Sequence, residues 1–160
     1  MKKRINLVAL LVLVALVAQS GDARAQGVGT LSVDQLRGRV AVLLFGGLAD
    51  PQSPEELPAL QRLANRYEGR GVEVVWVSVD PTSVPDADLT AYAARYGYRG
   101  RVLRDPSGGT LRSYSTGKRP QLPTIVVLDT AGTVAGRPIA GFDRDSDLVN
   151  KIAAIVDPLL

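Results

Sequence analysis

The chain has 160 residues, 46% of them hydrophobic and 22% charged, which is the size and balance of one soluble domain. It contains no Cys and no His, and this excludes disulfides, thiol redox chemistry, zinc centres built on those ligands and His-based acid/base schemes. The net charge of +3 sits at the N-terminus, because residues 26–160 balance 15 basic against 15 acidic side chains. That leaves no electrostatic footprint for nucleic acid or for an anionic membrane surface.

Lys2-Lys3-Arg4 is a positive start, Leu7 to Ala18 is uninterruptedly apolar, and Ala23-Arg24-Ala25 offers small residues where a signal peptidase reads. The pattern is that of a secretory signal peptide over residues 1–25, with cleavage before Gln26. The apolar run falls short of the roughly 20 residues a membrane-spanning helix needs. An uncleaved inner-membrane anchor is the competing reading, since Ile5 and Asn6 extend the segment. No Cys follows the run, so lipid attachment at a lipobox is excluded.

Residues 26–38 read as a short lead-in to a single domain over residues 26–160. Val40 to Phe45 is a continuous apolar run ending at Gly46-Gly47, which predicts a strand buried on both faces. Pro54 to Tyr67 predicts a helix with Leu57, Leu60, Leu63 and Ala64 along one stripe, stopped by Gly69 and Gly71. Val72 to Val79, with Trp76 inside it, is a second buried strand and completes a right-handed βαβ unit. Asp80-Pro81-Thr82 opens a loop. Asp86 is placed to cap a helix over about 87–96 with Leu89, Tyr92, Ala93 and Tyr96 on one face.

Val102-Leu103 predicts a short strand, and Asp105-Pro106-Ser107-Gly108-Gly109 a turn. A helical turn around Leu111–Tyr114 follows. Pro123 to Leu128 is a third strong strand, and Asp129-Thr130-Ala131-Gly132 turns it back into Thr133–Ala140. A last helix starts in the Asp143–Asp147 cluster and carries Leu148, Ile152, Ile155 and Val156. Tyr98 is the tyrosine least clearly tied to a helix face and is the candidate for exposure.

Several apparent motifs carry no chemistry. Asp143-Arg144-Asp145-Ser146-Asp147 imitates the opening of a calcium loop, but Leu148 stands where Gly is needed and Ala154 where Glu is needed, so helix capping explains the cluster better. Gly46-Gly47 lacks the Lys and Ser/Thr of a phosphate loop. Ser53 has no activating base: there is no His, and Lys118 and Lys151 lie outside any Ser-x-x-Lys arrangement. The Arg99–Arg104 segment with Lys118-Arg119 reads as a solvated basic face, or as a contact for an acidic partner. No metal and no cofactor are expected.

Four stretches, in order, point to a family. They are Leu36-Arg37-Gly38-Arg39-Val40 running to Phe45, Glu56-Leu57-Pro58-Ala59-Leu60, Asp105-Pro106-Ser107-Gly108, and Leu122-Pro123-Thr124 running through Asp129 to Gly132. Together, over about residues 31–158, they resemble the thioredoxin-like superfamily, and more closely its exported TlpA-type and redoxin (AhpC/TSA-like) group. The resemblance implies an α/β fold with a mixed sheet of four or five strands flanked by helices, and it implies that Pro123 is the family's cis-proline. It also implies a Cys-x-x-Cys at the start of the first long helix. Counted back from Pro58, those two positions fall on Asp50 and Ser53, within Asp50-Pro51-Gln52-Ser53. Thiol–disulfide exchange, peroxidase chemistry and copper delivery of the Sco type all need sulfur that this chain lacks.

What replaced the site is a helix start. Ser53-Pro54-Glu55-Glu56 reads as a capping box with Ser53 at the cap, Pro54 in the first turn and Glu56 reaching back. Asp50-Pro51 is a second start one turn earlier. The expected function is therefore a non-catalytic binding or scaffold module of the bacterial envelope. A groove of Asp50, Pro51, Gln52, Ser53, Leu122, Pro123 and Thr124 would engage an envelope protein or an extended peptide by strand addition. The alternative is a cysteine-independent enzyme with Asp50 as its acid/base residue.

Overall fold

The computed structural model of the chain describes residues 27–115, 120–141 and 147–160. The expected signal peptide, Lys118-Arg119 and Asp143–Ser146 lie outside these residues. The elements, in chain order, are β1 (Gly29–Thr30), a 3-10 turn (Val33–Leu36), β2 (Val40–Gly46), α1 (Ser53–Arg66), β3 (Val72–Ser78), α2 (Asp86–Arg95), β4 (Arg101–Arg104), α3 (Gly109–Tyr114), β5 (Thr124–Leu128), β6 (Val134–Ala140), α4 (Leu148–Val156) and a closing 3-10 turn (Asp157–Leu159).

One sheet of six strands runs in the order β1-β4-β3-β2-β5-β6, against the four or five strands expected. The extra strand is β1, two residues of the lead-in that pair in parallel with Leu103 and Arg104. Its pattern is too short to carry a periodic signal. The central strand β2 lies parallel to β3 and antiparallel to β5, and β6 returns antiparallel to β5.

The unbroken apolar runs of β2 and β5 follow from coverage on both faces. Val40, Val42 and Leu44 pack with Trp76, Leu57, Leu60, Leu63 and Ile152 on one side. Ala41, Leu43 and Phe45 pack with Val75, Val77, Val126 and Leu111 on the other. The α1 stripe is buried at Leu57, Leu60 and Leu63, and α4 buries Leu148, Ile152, Ala153 and Val156.

Three local expectations change. Tyr98 is not exposed: it is 1% accessible, and its hydroxyl donates to the carbonyls of Val74 (2.8 Å) and Arg101 (3.1 Å). A phenol can be buried when its polar tip is satisfied in this way. Arg101 and Arg104 do not form a solvated face. Arg101 pairs with Glu73. Arg104 is 7% exposed, with Nε donating to Asp86 Oδ1 at 2.7 Å and other guanidinium nitrogens donating to the carbonyls of Val84 and Pro81. Asp86 is the first residue of α2 rather than its cap; Pro85 holds the cap position, with no side-chain cap bond.

Candidate functional site

The site forms where β2 and β3 end and α1 begins. Gly46 and Gly47 close β2 where a side chain would crowd its neighbours. A Cβ on Gly46 would lie 3.2 Å from Trp76 Nε1 and 3.5 Å from Asp50 Oδ2, and one on Gly47 would lie 3.2 Å from Asp80 Oδ1. The glycines therefore let two carboxylates and an indole approach the backbone turn.

After Gly47 the chain turns tightly, the Asp50 N–H donating to the Gly47 carbonyl at 3.1 Å. The Gln52 N–H then donates to Asp50 Oδ1 at 3.0 Å, an Asx-type turn that starts the helix. Gln52 is the cap of α1 and Ser53 its first helical residue, with no side-chain cap bond and 2% exposure. The expected capping box is therefore replaced: the turn carries the chain into the helix one residue early and rotates Ser53 inward. Glu56, expected to reach back over the cap, is 2% exposed instead. Burial, with the Asp50 and Glu55 charges adding to it, pushes the Glu56 carboxyl up to about 8, so it is held neutral at physiological pH.

Asp80 forms the opposite wall. Its Oδ2 accepts from the Leu48 N–H at 3.0 Å and from Ser78 Oγ at 2.8 Å, locking the loop after β3 to the turn after β2. In the residue order Asp80 marks only the opening of a loop. The signal that marks it is its position directly beyond the carboxyl end of a parallel strand, where α/β sheets place their ligand crevices.

A cavity of about 270 Å³ opens between these parts, lined by Gly47, Ala49, Asp50, Pro51, Val79, Asp80 and Leu122. Of the groove residues expected from the sequence, Asp50, Pro51 and Leu122 line it, Gln52 caps the helix beside it, and Ser53, Pro123 and Thr124 are buried behind it. The Leu122–Pro123 peptide bond is cis. Thr124 Oγ1 donates to the Gln121 carbonyl at 2.6 Å, and the Pro123 carbonyl accepts from the Gly141 N–H at 2.9 Å. Leu122 is left 42% exposed at the rim, and among the described residues its N–H and carbonyl have no hydrogen-bond partner. Asp50 Oδ2 is the one buried side-chain oxygen among the described residues without a hydrogen-bond partner. Neither Asp50 nor Asp80 forms an ion pair among the described residues. No group of three or more Asp or Glu among the described residues is arranged to hold a metal ion.

Several known proteins resemble this chain. The thiol-disulfide oxidoreductase ResA of Halalkalibacterium halodurans is 26% identical over 129 residues, covering 81% of this chain and 69% of the relative. Among solved structures, a thiol:disulfide interchange protein of the thioredoxin family from Chlorobium tepidum matches with TM-score 0.61 and 20% identity, over 82% of this chain and 98% of that one. A secreted Mycobacterium tuberculosis disulfide oxidoreductase homologous to E. coli DsbE matches with TM-score 0.57 and 21% identity, over 84% and 99%. These likenesses establish a thioredoxin-like fold. The model of the AhpC/TSA family matches residues 15–137, most of the chain. The chain therefore belongs to the AhpC/TSA family, within its thioredoxin-like TlpA/redoxin group, as a member without cysteine.

Proposed function

We propose that the chain is a non-catalytic module of the bacterial envelope that binds an extended segment of a partner protein. The observation that carries this reading is the exposed Leu122 rim, with its backbone N–H and carbonyl unengaged among the described residues, beside an open cavity at a site that has no sulfur. Main-chain groups of this kind add an extended peptide as a further strand, while the neighbouring cavity takes one of its side chains. Relatedness to thiol-disulfide oxidoreductases supports a peptide as the occupant, and thiol exchange itself is absent for want of a thiolate. Export is supported by the Lys2–Ala25 pattern and by the relative described as secreted. Among the described residues no helix is long and apolar enough to cross a membrane.

The test is in-cell crosslinking of the tagged chain followed by mass spectrometry, which also reads the mature N-terminus. The expected result is a dominant envelope partner whose capture falls when Leu122 and Pro51 are altered. Equal capture by these variants and by variants of a remote surface overturns the reading.

A further inference from the structure

The cavity is small. Pockets for drug-sized ligands run to roughly 300–1,000 Å³, and about 270 Å³ suits a single side chain. Its walls are of two kinds. Pro51, Val79, Leu122 and Ala49 are apolar, whereas Asp50 and Asp80 bring two carboxylates to the same space. A mostly apolar cavity with two acidic groups in its wall matches a side chain that carries a cation on a hydrocarbon stem.

The two carboxylates differ in what they offer. Asp80 uses Oδ2 to hold the Leu48 N–H and Ser78 Oγ, and its Oδ1 lies toward Gly47 without a hydrogen bond among the described residues. Asp50 uses Oδ1 for the Gln52 N–H, and its Oδ2 is closed off from solvent with no partner among the described residues. A shielded, unpaired carboxylate oxygen is costly. A positive charge brought into the adjoining cavity offsets that cost through the local field even without touching the oxygen. Arg104, which pairs with Ser78 at this end of the sheet, is committed to Asp86.

We propose that the cavity lined by Asp50, Asp80 and Leu122 is a specificity pocket for a lysine-type cationic side chain of the bound segment. The proposal rests on the groove reading above for the peptide, and adds which residue of it is read. The stem lies on Leu122, Val79 and Pro51, and the ammonium donates to Asp80 Oδ1 in the field of Asp50. A glutamate at the same place meets two like charges and is rejected.

The test titrates the chain by calorimetry with pentapeptides identical except for a central lysine, norleucine or glutamate, and with n-butylammonium alone, at low and physiological salt. The expected result is that the lysine peptide binds about tenfold tighter than the norleucine peptide at low salt, with glutamate weakest and the lysine advantage shrinking as salt rises. Asp50→Asn and Asp80→Asn each lower the ratio of lysine-peptide to norleucine-peptide affinity. Two variants are used because Asp80 also braces Leu48; Asp80→Asn keeps a carbonyl acceptor for that bond, and Trp76 emission reports whether each variant is folded. Equal affinity for lysine and norleucine peptides overturns the pocket and leaves the groove standing. Butylammonium binding that is lost in both variants, with no peptide bound, keeps the pocket and removes the peptide groove. No binding by any probe overturns both.

Discussion

Glu56 gives the sharpest physical prediction. It is 2% exposed and its carboxyl is raised from 4.5 to about 8, mainly by burial and further by the charges of Asp50 and Glu55. Between those two pH values the folded chain keeps a proton that the unfolded chain has released. The folded state therefore binds more protons, and stability falls as pH rises through this window. Converted at about 1.4 kcal/mol per pH unit, the loss approaches about 5 kcal/mol once the pH is above both values. Glu56→Gln keeps the shape and removes the titration. Below pH 4.5 the variant and the parent should be nearly equal in stability. The variant should gain progressively above that, its advantage approaching about 5 kcal/mol near pH ~9. Urea unfolding at a series of pH values reads this directly, with Trp76, the one tryptophan and a fully buried one, as the probe. Asp50→Asn should narrow the gap, because one of the charges opposing ionisation is gone. A stability difference that does not change between about pH 4 and about pH 9 refutes the reasoning.

Other outcomes follow from particular contacts. Tyr98→Phe leaves the Val74 and Arg101 carbonyls without their hydroxyl donor and should cost about 1–3 kcal/mol in chemical denaturation, with peptide binding unchanged. Arg104→Lys cannot reproduce the fork that reaches Asp86 and the Val84 carbonyl together, and should lower stability by about 1–3 kcal/mol in the same assay. Most of that loss lies with the carbonyls, since Asp86 is largely solvent-exposed and exposed ion pairs contribute little. Gly47→Ala places a Cβ 3.2 Å from Asp80 Oδ1; displacement of that carboxylate should weaken lysine-peptide binding several-fold in calorimetry, with little change for the norleucine peptide. Gly46→Ala presses on Trp76 Nε1 at 3.2 Å and should shift the native emission maximum measured by fluorescence.

Much of the architecture is legible in the residue order. Val40–Phe45 and Thr124–Leu128 are long apolar runs, and such runs need a layer on each face of the sheet. The stripe of Leu57, Leu60 and Leu63 needs one side of a helix turned inward. The Gly46-Gly47 pair at the end of β2 and the absence of cysteine already bound the site's chemistry in the residue order. Tertiary structure decided the rest, because those features depend on residues far apart in sequence. The two-residue β1 exists through its pairing with Leu103 and Arg104, which no local period encodes. Whether Ser53 caps or is buried turned on one residue of phase in the turn from Gly47 to Gln52. Arg104 and Tyr98 look like surface residues by composition, and became interior ones because Asp86, the Val84 carbonyl and the Val74 carbonyl were there to receive their donors. Asp80 became a wall of the cavity because parallel pairing of β2 with β3 sets Gly46 beside Ser78, and brings the two turns beyond them into hydrogen-bond reach.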